Sequence, residues 1–219
     1  MPRVVDHDER RAAIIRATWE LIAEKGIEDT SLRDIAREAG YANPGTLSHY
    51  FDNKNDLLQR AYEHVFEATN NRIVATCADA EGVEAIRLMS REIAPLNPTT
   101  MREASIAMSF WQRAIHDEHL ARTSRTAVAE WRASLSAHLA VARERGEVDT
   151  GLADDLVVDQ LLTVLFGMHV TGLLGIIEMD SERQSLLLDA FLASLSTSGS
   201  SSGSTSGSTS GSASAAAGR

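Results

Sequence analysis

The stretch from Thr30 to Leu57, TSLRDIAREAGYANPGTLSHYFDNKNDL, gathers side chains suited to reading a nucleic acid. Arg33 carries the forked donors that pair with guanine edges, and Asn43, Thr46, Ser48 and His49 offer short donors and acceptors that reach bases in a major groove. Tyr50 and Lys54 add a phenol and a compact positive charge. Plainer readings stand beside these: Arg33 as a solvated surface charge, Thr46 as a helix cap, Tyr50 as a core ring packed on Leu47. A second set, Phe66, Trp111, Trp131, Phe166 and His169, lies further along the chain and suits the wall of a small-molecule pocket, or equally an ordinary core. His116 and His119 form an i, i+3 pair, but no cysteine or third histidine lies at a matching spacing, so no metal is expected. Neither a glycine-rich phosphate loop nor a nucleophile elbow nor an HExxH motif occurs, so the sequence offers no carrier for hydrolytic or nucleotide chemistry, and no cofactor is expected.

The elements that must position the first set are short helices. Thr30 or Ser31 can cap a helix whose residues Leu32, Ile35, Ala36 and Ala39 recur at i, i+3, i+4 and i+7, and Gly40 sits where that helix must stop. A link from Tyr41 to Pro44 leads into a second helix with Leu47, Tyr50 and Phe51 on one face. Together these read as a helix-turn-helix. Two such short helices need a third to bury their surface, and Arg11–Lys25 supplies it through Ile14, Ala17, Thr18, Leu21 and Ile22, with Gly26 as its stop. Leu32, Ile35, Leu47 and Phe51 are the expected core of this head.

At these residues the chain resembles the TetR family of bacterial repressors. The runs T-S-L-R-D-I-A-R-E-A-G, G-T-L-S-H-Y-F and N-K-N-D-L-L carry the resemblance across roughly Asp8 to Tyr62, and the SHYF–NKNDLL wording is similar to the branch of choline-sensing betaine-synthesis repressors. One departure is local: the family has four residues between the turn glycine and the threonine, and this chain has five, Tyr41 to Gly45. The resemblance implies a base-contacting role for Arg33 and phosphate contacts for Tyr50 and Lys54, helped by free amides at the start of the next helix. It also implies an effector pocket between the helices of the second domain, and repression as the mode of action.

Six further helices are expected: Asn55–Asp79, Val83–Ile93, Thr99 or Thr100 to His116, Ala121–Arg145, Asp154–Glu178 and Ser181–Leu195. With no convincing strand the fold is all-α, a three-helix head over residues 8–54 and a helical bundle for ligand binding and dimerisation over residues 55–195. Residues 196–219 are Ser, Gly, Thr and Ala apart from Arg219, a composition expected to stay disordered.

The net charge of −10 argues against a protein that coats DNA without specificity. Residues 1–60 hold nine Lys/Arg against eleven Asp/Glu, leaving twelve against twenty for the rest, so the acid concentrates away from the head. A lone cysteine, Cys77, suits a reducing cytoplasm, and the N-terminus lacks the apolar core of a signal peptide. The apolar uncharged run Leu161 to Ile177 falls just short of a membrane span and holds His169, Thr163 and Thr171, so it reads as a buried helix. The expected partners are therefore a double-stranded DNA operator, a second copy of the chain and an unidentified small molecule, with no membrane. Leu161–Ile177 and the ridge Leu186, Leu187, Ala190, Phe191 and Leu195 are the expected dimer face, with Gly167, Gly172 and Gly175 allowing close approach. The rival reading is an all-helical enzyme or interaction protein that keeps the motif for packing alone.

Overall fold

The structure is a computed structural model that describes residues 3–27, 29–176 and 180–196, with side chains described from residue 7 onward. The Ser/Gly-rich segment therefore lies outside the described residues apart from Ser196. The helices are α1 (Arg3–Lys25), α2 (Leu32–Glu38), α3 (Lys54–Thr76), α4 (Gly82–Ile93), α5 (Pro98–Ala114), α6 (Glu118–Glu144), α7 (Asp154–Leu174) and α8 (Ser181–Ser194), with a recognition segment, Pro44–His49, between α2 and α3. No strand occurs among the described residues.

Local chemistry sets the ends of α2. The Ser31 hydroxyl accepts from the Asp34 amide at 3.1 Å, and the Asp34 carboxylate accepts from the Ser31 amide at 3.2 Å, a reciprocal capping box. The Ser31 hydroxyl donates to the same carboxylate and Lys25 pairs with it, so Asp34 stays ionised far below the usual carboxylate range. Thr30 does not cap; its hydroxyl donates to the Gly26 carbonyl. At the other end Gly40 takes φ +82°, which places the Tyr41 amide 2.7 Å from the Ala36 carbonyl and turns the chain toward the recognition segment.

That segment departs from expectation. It is a 3-10 helix, not an α-helix, and it starts at Pro44. The extra residue of the link explains this: Asn43 caps the segment by accepting from the Gly45 amide, and Pro44 fills the first helical position, where its missing N–H has no cost. The Tyr50 and Phe51 amides then share the Leu47 carbonyl at 2.9 and 3.0 Å. In this tighter winding residues three apart eclipse one another.

The buried residues fall into three clusters. Ile14 and Leu21 of α1, Ile35 and Ala36 of α2, Leu47, Phe51 and Leu57 form the core of the head. A second cluster joins Ile22 and Ile27 to Leu58, Tyr62 and Val65 of α3, Ile106 and Phe110 of α5, and Leu120 and Ala127 of α6. A third fills the bundle, where Met89, Leu135, Leu139, Leu161, Leu165, Leu188 and Leu192 meet. Helix α1 thus packs on both α3 and α5, so the head is joined to the bundle by a shared core as well as by α3.

Four expectations are corrected. Helix α1 begins at Arg3 rather than Arg11. Leu32 is 39% exposed and belongs to no core. Helix α7 ends at Leu174, where Gly175 adopts a left-handed C-cap, well before Glu178. Gly172 admits a neighbour within the same subunit, since a Cβ there would come within 2.8 Å of Gln184 Nε2. Among the described residues α7 is the one helix whose length and composition would let it cross a membrane; here it packs against α5, α6 and α8.

Candidate nucleic-acid interface and ligand cavity

The winding of the recognition segment aligns Thr46 with His49, and Asn43 caps it just ahead; Asn43 and His49 are exposed and Thr46 is half-buried. Leu47, four residues after Asn43, turns inward and is buried. Asn43 spends its carbonyl oxygen on the cap, so its NH2 is the group it presents. Ser48 is exposed and donates its hydroxyl hydrogen to the Gly45 carbonyl at 2.7 Å, leaving its oxygen as an acceptor. Arg33 is exposed on α2. Tyr50 is half-buried, its ring 4.8 Å from that of His7 on α1 and 6.5 Å from that of Tyr41.

Lys54 and the start of α3 are arranged differently from the simple expectation. The Lys54 ammonium donates to the Ile27 carbonyl at 2.8 Å, which ties α3 to the end of α1. Two of the amides expected to be free, those of Asn55 and Asp56, donate to the Asn53 side chain, which caps the helix. The Leu57 amide bonds to the Asn53 carbonyl. The α3 N-terminus is thus largely satisfied from within.

In the second domain Phe66, Trp111, Trp131 and His169 come together as the wall of one small cavity of about 30 Å³. Phe66 and Trp131 lie with ring centroids 4.9 Å apart, and the Trp131 indole N–H donates to Asn70 at 2.8 Å. His169 is buried, and its Nδ1 lies 2.8 Å from the Leu165 carbonyl. A carbonyl only accepts, so the neutral ring carries its hydrogen on Nδ1 and Nε2 is an acceptor. Burial pushes the His169 pKa below the usual histidine value, partly offset by that hydrogen bond. Phe166 is placed elsewhere: it lines an open groove of about 740 Å³ between α5, α6 and α7. Trp111 lines both spaces, 5.2 Å from the Phe166 ring and 5.8 Å from that of His169.

The cavity also holds an acid that the sequence reading missed. Glu103 of α5 is buried to 7% exposure and lines the cavity beside Tyr62 and Thr69. Arg72 of α3 grips it with two parallel bonds, Nη1 to Oε1 at 2.8 Å and Nη2 to Oε2 at 2.7 Å, while Arg72 Nε donates to Glu92 of α4 at 2.9 Å. Burial opposes the charge on Arg72, yet Glu103 and Glu92 together outweigh it and hold the guanidinium more firmly protonated. The legible signal was a charged residue inside the inward stripe Thr100, Glu103, Ala104, Ala107 of α5. No group of three or more His, Cys, Asp or Glu side chains gathers as for a metal ion among the described residues.

A head that presents short polar side chains beside a turn glycine, built on a helical bundle, has the architecture of a helix-turn-helix regulator. Comparison with known proteins agrees. Residues 14–61 match the family model described as bacterial regulatory proteins, tetR family, and residues 82–197 match that described as BetI-type transcriptional repressor, C-terminal. The chain belongs to the TetR family of bacterial transcriptional regulators, with a BetI-type second domain. Among its relatives, the transcriptional regulator PksA of Bacillus subtilis is 29% identical over 184 residues, covering 84% of this chain and 88% of that one. The regulator BetI of Burkholderia cenocepacia J2315 is 32% identical over 162 residues, covering 70% and 81%. A transcriptional regulator from Saccharomonospora viridis, solved in complex with choline, shares the fold with a TM-score of 0.78 at 20% identity, covering 85% of this chain and 96% of that one.

Proposed function

We propose that this DNA-binding regulator is a homodimeric cytoplasmic repressor, not an enzyme, that leaves a near-palindromic operator when a small molecule enters the cavity lined by Phe66, Trp111, Trp131 and His169. The observation that carries this reading is the shared wall: Tyr62 lines the cavity and Phe66 stands beside it, and both pack in the cluster that joins α1 and the head to the bundle. A ligand that rearranges those rings shifts α1 and α3 together, and with them the recognition segment. By linkage, DNA must weaken ligand binding as much as the ligand weakens DNA binding. Asn43, Thr46 and His49 together with Arg33 read bases; Lys54, Tyr50 and Ser48 position the backbone.

Dimerisation rests on surface left uncovered within one subunit. Leu174, Leu186 and Leu187 are exposed to 64%, 56% and 40%. On α7 the outward positions Gln160, Thr163, Gly167 and Leu174 form a stripe, and nothing lies within 4 Å of a Cβ built on Gly167. Two copies of α7 and α8 would pack there as a four-helix interface, which places two heads on one face of a duplex, about 34 Å apart. Leu165, expected at this face, is instead fully buried inside the subunit and cannot report on it.

The test is selection of a bound sequence from random duplex DNA, followed by fluorescence anisotropy of the selected site during a compound screen. A near-palindromic site released by a compound that also quenches Trp111 would support the reading. Recovery of no preferred sequence at physiological salt would overturn it.

A further inference from the structure

The small cavity and the wider groove share the Trp111 wall, yet they differ in chemistry. Most donors that line the cavity are already engaged, Thr69 on Glu103, Thr100 on the Asn97 carbonyl and Trp131 on Asn70, which leaves the Glu103 carboxylate and the His169 Nε2 as acceptors beside the Tyr62 hydroxyl and the Trp111 indole. Arg72 and Thr69 take three of the acceptor positions of Glu103, and one remains of the roughly four that a carboxylate offers. The charges nearby do not cancel, since one guanidinium faces two carboxylates, Glu92 and Glu103. Phe66 and Trp131 add ring faces, which attract cations. At about 30 Å³ the cavity is small and suits a compact polar head. The groove across Trp111 is walled by Met108, Val128, Phe166, Val170 and Leu173, and its volume of about 740 Å³ is that of a small-molecule site.

Taking the effector reading above as its basis, we infer that the ligand is an amphipathic amine: a primary ammonium head lodged against Glu103 and His169, with an apolar body that passes Trp111 into the groove of α5, α6 and α7. The head matches the cavity in size and in hydrogen-bond polarity, offering three N–H donors to a set of acceptors. A quaternary head has no N–H to give. A carboxylate head would meet Glu103 with like charge. The body accounts for the apolar groove on the other side of Trp111.

The test uses the full chain and n-octylamine at pH 7, with n-octanol, octanoate and octyltrimethylammonium as comparators, read by calorimetry and by tryptophan fluorescence. Octylamine should bind about tenfold or more tightly than each comparator, the value of a hydrogen bond to a charged group. From butylamine to octylamine each methylene should tighten binding about fourfold. Glu103→Gln should weaken octylamine about tenfold or more for the same reason. Because Glu103→Gln also disturbs Arg72, Met108→Gln on the groove wall is the second variant, and it should flatten the dependence on chain length. Equal affinity for octanol or octyltrimethylammonium would overturn the assignment of the head. Affinity independent of chain length, as when a second copy of the protein covers the groove, would overturn the assignment of the body. Operator release is read in parallel by anisotropy. Octylamine that binds as described without releasing DNA upholds the site and overturns the effector reading, whereas release by another compound with no amine binding overturns the site alone.

Discussion

Replacing Arg72 by methionine should reveal how much of the bundle depends on one guanidinium. Arg72 joins three helices: it stands on α3, grips Glu103 of α5 with two bonds and holds Glu92 of α4 with a third. Removing one partner of a buried pair costs about 3–5 kcal/mol, because the other charge stays buried without compensation. Here the Glu103 side chain is 9% exposed and that of Arg72 31%, so water can reach part of the pair. The Thr69 hydroxyl remains to donate to Glu103. The expected cost of Arg72→Met is therefore about 2–4 kcal/mol, toward the lower end of that range. Glu92, at 23% exposure, regains solvent and should add little. The measurement is urea unfolding followed by circular dichroism, on Arg72→Met, Glu103→Met and the double variant. The double variant should be more stable than Arg72→Met alone, with a coupling of about 1–3 kcal/mol. A loss under about 1 kcal/mol for Arg72→Met, or a double variant costing the sum of the singles, would show that the pair is not the clamp described here.

Further outcomes are expected elsewhere. Arg33→Ala should relax preference at one base position at a cost of about 1–3 kcal/mol, seen by comparing operator variants in anisotropy titrations. Lys54→Ala should weaken binding to all sequences and reduce the salt slope by about 1, measured over a range of salt concentrations; it should also lower stability, since it removes the bond to Ile27. Leu186→Glu with Leu187→Glu should yield folded monomers in sedimentation, because both side chains are exposed in the single subunit. For His169 the folded pKa is lowered by burial, so the unfolded chain takes up the proton first. Stability should be fully present above the unfolded value of about 6.5 and fall as pH drops below it. In His169→Phe that part of the decline should vanish from urea midpoints measured between neutral and mildly acidic pH.

Local rules made most of the helices legible. Capping residues and stop glycines act within a few positions, so Ser31, Gly26, Gly40 and Gly146 marked ends that the structure keeps, each glycine with positive φ. The aromatic set was legible as a group because helical spacing puts such side chains on one face; only Phe166 fell on the far side of Trp111. What escaped depends on partners remote in sequence. Arg72 and Glu103 are 31 residues apart, and no periodicity relates them. The start of α1 escaped because Arg3 to Arg10 carries no apolar stripe to betray a helix. Leu32 looked like core by its spacing, yet the first turn of α2 faces outward. The recognition segment kept its buried Leu47 and changed its winding, because one inserted residue is absorbed by tightening the turn around Pro44.

The cluster shared by α1, α3 and α5 bears on how freely such a protein exchanges its parts. A reading head cut after α3 begins would carry Ile22, Ile27, Leu58 and Tyr62 as bare apolar surface, because their partners Ile106, Phe110 and Leu120 belong to the other half. The head is therefore not a portable module. A chimera that gives this ligand domain a new DNA specificity must either keep Ile22 and Ile27 while changing only the exposed residues of α2 and the recognition segment, or transplant α5 along with the head. Evolution working on the same chain faces the same restriction: operator preference can drift on the outer row of side chains, while the seam beneath them changes only in concert on both sides.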